Sequence, residues 1–142
     1  MRKISASYVF TLAGSPLKNG IVVLDSNGTI VEVIDTQGRT SEIQGLEHYS
    51  GLLVPGFINA CADLDGAVAP LAFPQGLCKI PFEQQEAQLK AHAFTPDQRL
   101  SAARQADRIL FRSGCSVVAD VSTNPHFIPL KKNSPIQYVD FP

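Results

Sequence analysis

The sequence has little charge and no excess of either sign. Lys and Arg number 12 and Asp and Glu number 13, which gives a formal net charge of −1. Because no basic surplus is available to neutralise a run of phosphates, the composition argues against nucleic acid as a partner. Apolar residues make up 44% of the chain, which is enough for a folded core and argues against disorder.

Long hydrophobic runs and paired cysteines are also missing. No stretch approaches the roughly 18 uncharged apolar residues that a membrane helix needs, so the sequence predicts no membrane segment. The three cysteines are odd in number and show no Cys-x-x-Cys spacing, which argues against a disulfide framework and predicts a cytoplasmic location. Cys78 and Cys115 are interpreted as small hydrophobic residues.

The first fifty residues have the pattern of a small β-sheet. Apolar residues alternate with polar or small ones over 4–10, which predicts a half-buried strand. Two runs rich in β-branched residues, 21–24 and 29–34, flank the turn sequence Asp25-Ser26-Asn27-Gly28. This Asn-Gly pair predicts a hairpin, because both residues tolerate the positive φ that tight turns need. One more strand is expected over 41–49.

From Gly51 the pattern changes to that of an α/β region. Residues 52–60 are apolar on both faces, which is typical of a strand buried in a parallel sheet. Residues 66–82 are rich in Pro, Gly and Ala and are predicted to form an irregular loop.

A helix and two further strands are predicted after this loop. Thr95-Pro96-Asp97-Gln98 combines an N-cap threonine, a proline in the first turn and a glutamine three residues after the cap, which predicts a capping box. Gly114 stands where a left-handed residue would end this helix. Strands are predicted over 117–121 and 136–141, which gives a βαβ arrangement.

The string Gly-Leu-Leu-Val-Pro-Gly-Phe-Ile-Asn-Ala at 51–60 resembles a known family. It is similar to the first barrel strand of the amidohydrolase superfamily, in particular the cytosine deaminase, chlorohydrolase and imidazolonepropionase-like branch. The resemblance implies an α/β fold in which residues 1–50 form a composite β-sandwich-like sheet. Residues 51–142 would then form a partial (β/α) barrel-like layer.

Two departures from the family determine the functional interpretation. The metal-binding His-x-His that ends the family's first strand would fall on Cys61-Ala62-Asp63, so both histidines are replaced. Eight β/α units need roughly 200 or more residues, and residues 51–142 hold about three barrel strands. We therefore predict a shortened, degenerate amidohydrolase-like protein that is not an enzyme alone. It needs no cofactor and acts as a homo-oligomer or with a second polypeptide.

Four residues are candidates for a site. Cys61 and Asp63 lie two apart on a strand, so they share one side, and both residue types bind Zn²⁺. His126 follows the carboxyl end of a predicted strand, where barrel enzymes place their chemistry. These three are interpreted first as ordinary strand-end or loop residues. Asp120 is a candidate catalytic acid or base, although hydrogen bonding to loop backbone is the preferred explanation for a carboxylate in a buried strand.

Two other functions stay open. A metal-dependent hydrolase or deaminase acting on C–N bonds of a cyclic amide or amine would use zinc to activate water. It would need Cys61 and Asp63 as replacement ligands and further groups from a partner chain. Alternatively, a small-molecule binding module would use what remains of the pocket without chemistry. His48 and His92 belong to no cluster and are not predicted as ligands.

Overall fold

The computed structural model describes residues 1–39, 42–74, 76 and 81–141. It divides into a first unit, Met1–Pro55, and a second unit, Gly56–Pro142. The first unit contains a five-stranded sheet and the second a three-stranded parallel sheet with helices, so the predicted α/β class is confirmed. None of the described helices is both long and apolar enough to span a membrane.

The first unit is built around its N-terminal strand. Its strands are β1 (Arg2–Val9), β2 (Leu17–Lys18), β3 (Ile21–Leu24), β4 (Ile30–Ile34) and β5 (Leu46–Leu53). Strand β1 pairs antiparallel with β2 and β3 and parallel with β5, while β4 pairs with β3. The last strand therefore begins five residues later and ends four residues later than the predicted strand over 41–49, of which residue 41 lies outside the described residues.

The N-terminal strand is confirmed, but its faces do not alternate throughout. Ala6 and Val9 are buried in the core of the unit, whereas Tyr8 is 43% exposed. The pairing of β1 with β5 shifts register between Ala6 and Tyr8. Such a shift reverses which side chains face the core, and a period-two pattern in the sequence does not reveal it.

The predicted hairpin is also confirmed. Strands β3 and β4 pair antiparallel around the turn that contains Asn27 and Gly28. Gly28 adopts a φ of 84°, the conformation that favours glycine. The backbone N–H groups of Asn27 and Thr29 both donate to Asp25 Oδ1, at 2.8 Å and 2.9 Å respectively. The aspartate side chain thus holds the turn closed.

In the second unit, strands and helices alternate. Its elements are β6 (Phe57–Ala62), a 3₁₀ turn (Gly66–Val68), α1 (Ala69–Ala72), α2 (Phe82–Ala91), α3 (Pro96–Arg112), β7 (Cys115–Asp120), a 3₁₀ turn (Pro125–Phe127), α4 (Ile128–Asn133) and β8 (Gln137–Asp140). The strands lie in the order β6-β7-β8, and both pairs are parallel. The predicted βαβ unit is confirmed, and the strands predicted at 117–121 and 136–141 begin and end within two residues of β7 and β8.

The strand predicted over 52–60 is wrong as a single element. Leu53 ends β5 in the first unit and Phe57 begins β6 in the second. Proline has no N–H to give to a sheet, which explains the interruption at Pro55. Gly56 lies so close to β7 that a Cβ on residue 56 would stand 2.5 Å from the Cβ of Ser116. The sequence of an apolar run does not show that its two halves belong to different sheets.

The irregular loop predicted over 66–82 is wrong at both of its ends, while residues 75 and 77–80 lie outside the described residues. A 3₁₀ turn and α1 occupy 66–72, and Phe82 begins α2, which the sequence pattern did not predict. Helix α2 contains many strong helix formers, but its apolar residues form no stripe that helical periodicity would reveal. Cys78 lies outside the described residues.

Helix α3 is confirmed together with both of its end signals. Thr95 Oγ1 accepts the backbone N–H of Gln98 at 3.2 Å, and Gln98 Oε1 accepts that of Thr95 at 2.9 Å. At the other end Gly114 adopts a φ of 86°. The helix contributes Ala103 to the core of the second unit, where it meets Leu64 and Phe127.

Replacing the cap of α3 should destabilise the second unit. In Thr95→Ala the N–H of Gln98 loses its acceptor, and we expect a loss of about 1 kcal/mol in the free energy of unfolding. Urea denaturation followed by circular dichroism measures this loss. Thr95→Ser keeps the hydroxyl and is the control. Equal stability of the alanine and serine variants would contradict the assignment of the cap.

Candidate functional site

The carboxyl ends of the three parallel strands lie along one edge of the sheet. Ala62 of β6 pairs with Asp120 of β7, and Asp120 pairs with Asp140 of β8. We call the residues that end or follow these strands the carboxyl-end edge. Ligands and catalytic groups of parallel α/β proteins lie at this end of the sheet, so functional residues are expected at the carboxyl-end edge.

Asp120 is the most deeply buried charged residue of this edge. It is 1% exposed, and each of its carboxylate oxygens is hydrogen-bonded. Oδ1 accepts the backbone N–H groups of Leu64 at 3.1 Å and Ser122 at 3.2 Å, and Oδ2 accepts the Ser122 hydroxyl at 2.6 Å. The expectation that loop backbone satisfies this carboxylate is confirmed. The bond to Leu64 also ties the segment after β6 to the end of β7.

Lys131 of α4 brings a positive charge to the same edge. Its Nζ lies 2.7 Å from Asp120 Oδ2 and 2.5 Å from Asp140 Oδ1. The ammonium also lies 3.5 Å from the carbonyl oxygen of Ser122 and 5.9 Å from the ring centroid of Tyr138. One ammonium therefore bridges the ends of β7 and β8 and has an aromatic ring beside it.

Burial and pairing act in opposite directions on these charges. Burial alone would raise the pKa of Asp120, but hydrogen bonds from Lys131, Ser122 and the backbone of Leu64 hold that pKa below its usual range. Burial alone would lower the pKa of Lys131, yet Asp120 and Asp140 hold it above its usual range. Both groups are thus charged at neutral pH. The carboxylate of Asp120 is held as part of an ion pair, so it is not a free base.

Tyr138 is fixed from its other side by α3. Its hydroxyl donates to Asp107 Oδ1 at 2.9 Å, and the Ser134 hydroxyl donates to the same oxygen at 2.6 Å. Burial and the bond to Asp107 raise the pKa of Tyr138, so the phenol keeps its proton. This bond holds the ring in place beside the ammonium of Lys131.

Lys131, Tyr138 and Asp140 are functional-site residues that were not predicted from the sequence. One signal for them exists, since the two strands read Cys-Ser-Val-Val-Ala-Asp and Gln-Tyr-Val-Asp and both end on aspartate. Because the two strands are parallel and both end on aspartate, their carboxylates lie side by side. The repulsion between these carboxylates indicates that a cation lies near them. The choice between Lys131 and the neighbouring Lys132 depends on the rotation of α4 and cannot be read from the pattern.

The three predicted metal candidates are separate, exposed side chains. Cys61 is the last residue but one of β6. Asp63 follows the strand, and its carboxylate lies beside Gly66. His126 lies in the turn after β7, where its backbone N–H donates to Asn124 Oδ1 at 3.1 Å. Within the described ranges, no three His, Cys, Asp or Glu side chains are grouped so that they could hold a metal ion. The described residues therefore do not fit a zinc centre.

Among known proteins, solved structures with a fold similar to that of this chain are found. No protein-family model and no curated protein matches the sequence. The aminofutalosine deaminase of Helicobacter pylori, solved with methylthio-coformycin, matches 99% of this chain with a TM-score of 0.74 and 25% identity, over 35% of its own chain. An adenosine deaminase from Xanthomonas campestris with bound zinc matches 96% with a TM-score of 0.65 and 18% identity, over 32% of its chain.

A putative prolidase from Bifidobacterium longum is also similar, with a TM-score of 0.58 and 15% identity over 98% of this chain and 29% of its own. The chain thus spans about a third of the length of the solved structures it matches. It shares its fold with parts of these enzymes, which supports the resemblance to the amidohydrolase superfamily at the level of the fold.

Removing the bridging ammonium should destabilise the second unit strongly. Lys131→Met leaves Asp120 buried without its cation, and we expect a loss of about 3 kcal/mol in the free energy of unfolding. The measurement is urea denaturation at neutral pH. Lys132→Met removes the neighbouring charge of the same helix and should change stability little. A loss of the same size in both variants would contradict the role given to the ion pair.

The same ion pair predicts how stability depends on pH. Because the pKa of Asp120 is lowered by folding, its contribution is present above the unfolded value of about 3.9 and is lost as the pH falls through the folded value. The pKa of Lys131 is raised, so its contribution is lost only at alkaline pH, above about 10.4. Unfolding free energies measured from pH 7 to pH 3 should fall less steeply in Asp120→Asn than in the unaltered chain. Equal slopes would refute this assignment.

Proposed function

We propose that this chain is a degenerate amidohydrolase-like protein that has no catalytic activity by itself and acts in an assembly. Its first unit corresponds to the β-sandwich-like part of the superfamily and its second unit to the first units of a (β/α)₈ barrel. The match to the Helicobacter pylori deaminase over 99% of the chain supports this correspondence. The partner is a second copy of this chain or a second polypeptide.

The observation that carries the proposal is the uncovered apolar surface of β6. Ile58 is 71% exposed and Phe57 is 57% exposed, although both lie in a strand of a parallel sheet. Parallel sheets are buried on both faces, because each face is covered by helices or by further strands. Strand β6 is also an edge of the described sheet, and unpaired strand edges are covered in stable proteins. A partner that covers β6 would meet both requirements.

The carboxyl-end edge supports the absence of catalysis by this chain alone. The superfamily resemblance places Cys61 and Asp63 where metal-binding histidines stand, and the described residues bring no third ligand to them. Asp120, the remaining candidate, has both oxygens engaged by Lys131, Ser122 and Leu64. General acid–base catalysis needs a group that can exchange its proton with a substrate, and this carboxylate is committed to the fold.

A second candidate function is a hydrolase or deaminase completed by a partner chain. It is favoured by the 25% identity with a deaminase, spread over nearly the whole of this chain. The substrate class would be a cyclic amide or an amine on a heterocycle, with hydrolysis of a C–N bond. Cys61 and Asp63 would have to bind a metal together with groups of the partner, so metal content separates the two functions.

Light scattering coupled to size exclusion tests the proposed assembly. We expect the purified chain to elute as an oligomer or together with a co-expressed polypeptide, because the exposed apolar residues of β6 would pack against a partner. Ile58→Lys should shift the mass to that of one chain. Ile128→Lys changes an exposed isoleucine of α4 and should leave the mass unaltered. A single-chain mass for the unaltered protein at all concentrations, with no retained polypeptide, would refute the assembly.

Elemental mass spectrometry of protein purified without chelator tests the catalytic part of the proposal. We expect far less than one zinc, iron or manganese per chain. About one metal ion per chain, lost in Cys61→Ser/Asp63→Asn, would support the hydrolase instead and would direct substrate screening to cyclic amides and aminated heterocycles.

A further inference from the structure

The first unit contains a small cavity that the proposed function does not use. It measures about 210 Å³ and is lined by Ser5, Asn19, Ile21, Thr36, Arg39, Leu46 and His48. We call it the Arg39–His48 notch. Two of its seven residues can carry positive charge and none carries negative charge. A cavity with this lining favours an anion.

The floor of the notch is fixed by hydrogen bonds. Ser5 of β1 is 2% exposed, and its hydroxyl donates to the carbonyl oxygen of Asn19 at 3.3 Å. His48 of β5 is the strand partner of Ser5, and its Nδ1 lies 3.4 Å from the Ser5 oxygen. Since Nδ1 is in contact with Ser5, Nε2 is the ring nitrogen that can meet a ligand.

The remaining polar groups of the notch are already paired. Asn19 donates through Nδ2 to the carbonyl oxygen of Gly38 at 2.9 Å. The Thr36 hydroxyl is directed at the carbonyl oxygens of Lys18 and Asn19, at 3.1 and 3.2 Å. These bonds connect the segment after β4 to the β2–β3 turn, so the walls of the notch are held in place before any ligand binds. Preorganised walls reduce the entropic cost of binding.

Arg39 has no acidic partner among the residues that the structure describes. Across the described ranges, the Arg39 guanidinium makes no ion pair and no side-chain hydrogen bond. Glu47 is the neighbour of His48 in β5, but it does not line the notch and is held by Arg2 at 2.7 and 2.8 Å. The charge of Arg39 is therefore available to a ligand.

We propose that the Arg39–His48 notch binds a small oxyanion of the sulfate or phosphate class. The planar guanidinium of Arg39 can donate two parallel hydrogen bonds to such a group. The imidazole of His48 lines the same notch and can add a hydrogen bond to the bound group through Nε2. The notch is open to solvent, so the group can be a free ion or the phosphate of a larger molecule. This inference concerns the first unit alone and does not depend on the proposed assembly.

Titration of the ¹⁵N-labelled full chain with sulfate, followed by NMR, tests the inference. We expect saturable shifts at the amides of Arg39 and His48. Arg39→Gln should weaken sulfate binding about tenfold or more, because a charge-assisted pair of hydrogen bonds is lost.

Arg104→Gln is the matched control, since Arg104 is an exposed arginine of α3 that also makes no ion pair in the described structure. It should bind sulfate like the unaltered chain. Titrations with inorganic phosphate and with glycerol phosphate identify the source, since tighter binding of the ester would indicate a phosphorylated molecule and equal binding a free ion. Shifts that do not saturate, or that are the same in Arg39→Gln and Arg104→Gln, would overturn the inference.

Discussion

The second unit depends on one ammonium group held between two carboxylates. Lys131 reaches from α4 to Asp120 and Asp140, and Asp120 also accepts the N–H of Leu64, so three strand ends are joined through one cluster. Asp120 and Asp140 are register partners on adjacent strands, and two adjacent carboxylates would repel each other without a cation. The cation is supplied by the helix between the strands. The position of α4 and the alignment of the strands therefore depend on each other.

This arrangement engages the Asp120 carboxylate within the fold. In a hydrolase that uses a metal, carboxylates and imidazoles at this edge are kept open towards a cation and a water molecule. Here the Asp120 carboxylate is closed by a lysine and by a serine hydroxyl. The Asp120 carboxylate is satisfied inside the chain, whereas Phe57 and Ile58 of β6 are exposed. This exposed apolar surface is the basis of the proposed association.

The features that could be predicted from the sequence are those that depend on neighbours in the chain. The hairpin at Asn27-Gly28 and the cap at Thr95 are each decided within four residues, and both are observed. The division of 52–60 between two sheets was missed because an apolar run does not say which strand it pairs with. Likewise, Asp120 was recognised as a carboxylate that must be satisfied. Its partner Lys131 was not, because the contact depends on how α4 packs.

The parallel pairing of β1 with β5 also determines the order in which the first unit can fold. Lys3 pairs with Leu46 and Val9 with Leu53, so this contact closes only after more than forty intervening residues are in place. The antiparallel pairing of β1 with β3 spans a much shorter stretch and can form first. During synthesis, one edge of the N-terminal strand therefore stays open until β5 has left the ribosome. The time for which this strand edge is unpaired therefore depends on how quickly the residues up to β5 are synthesised.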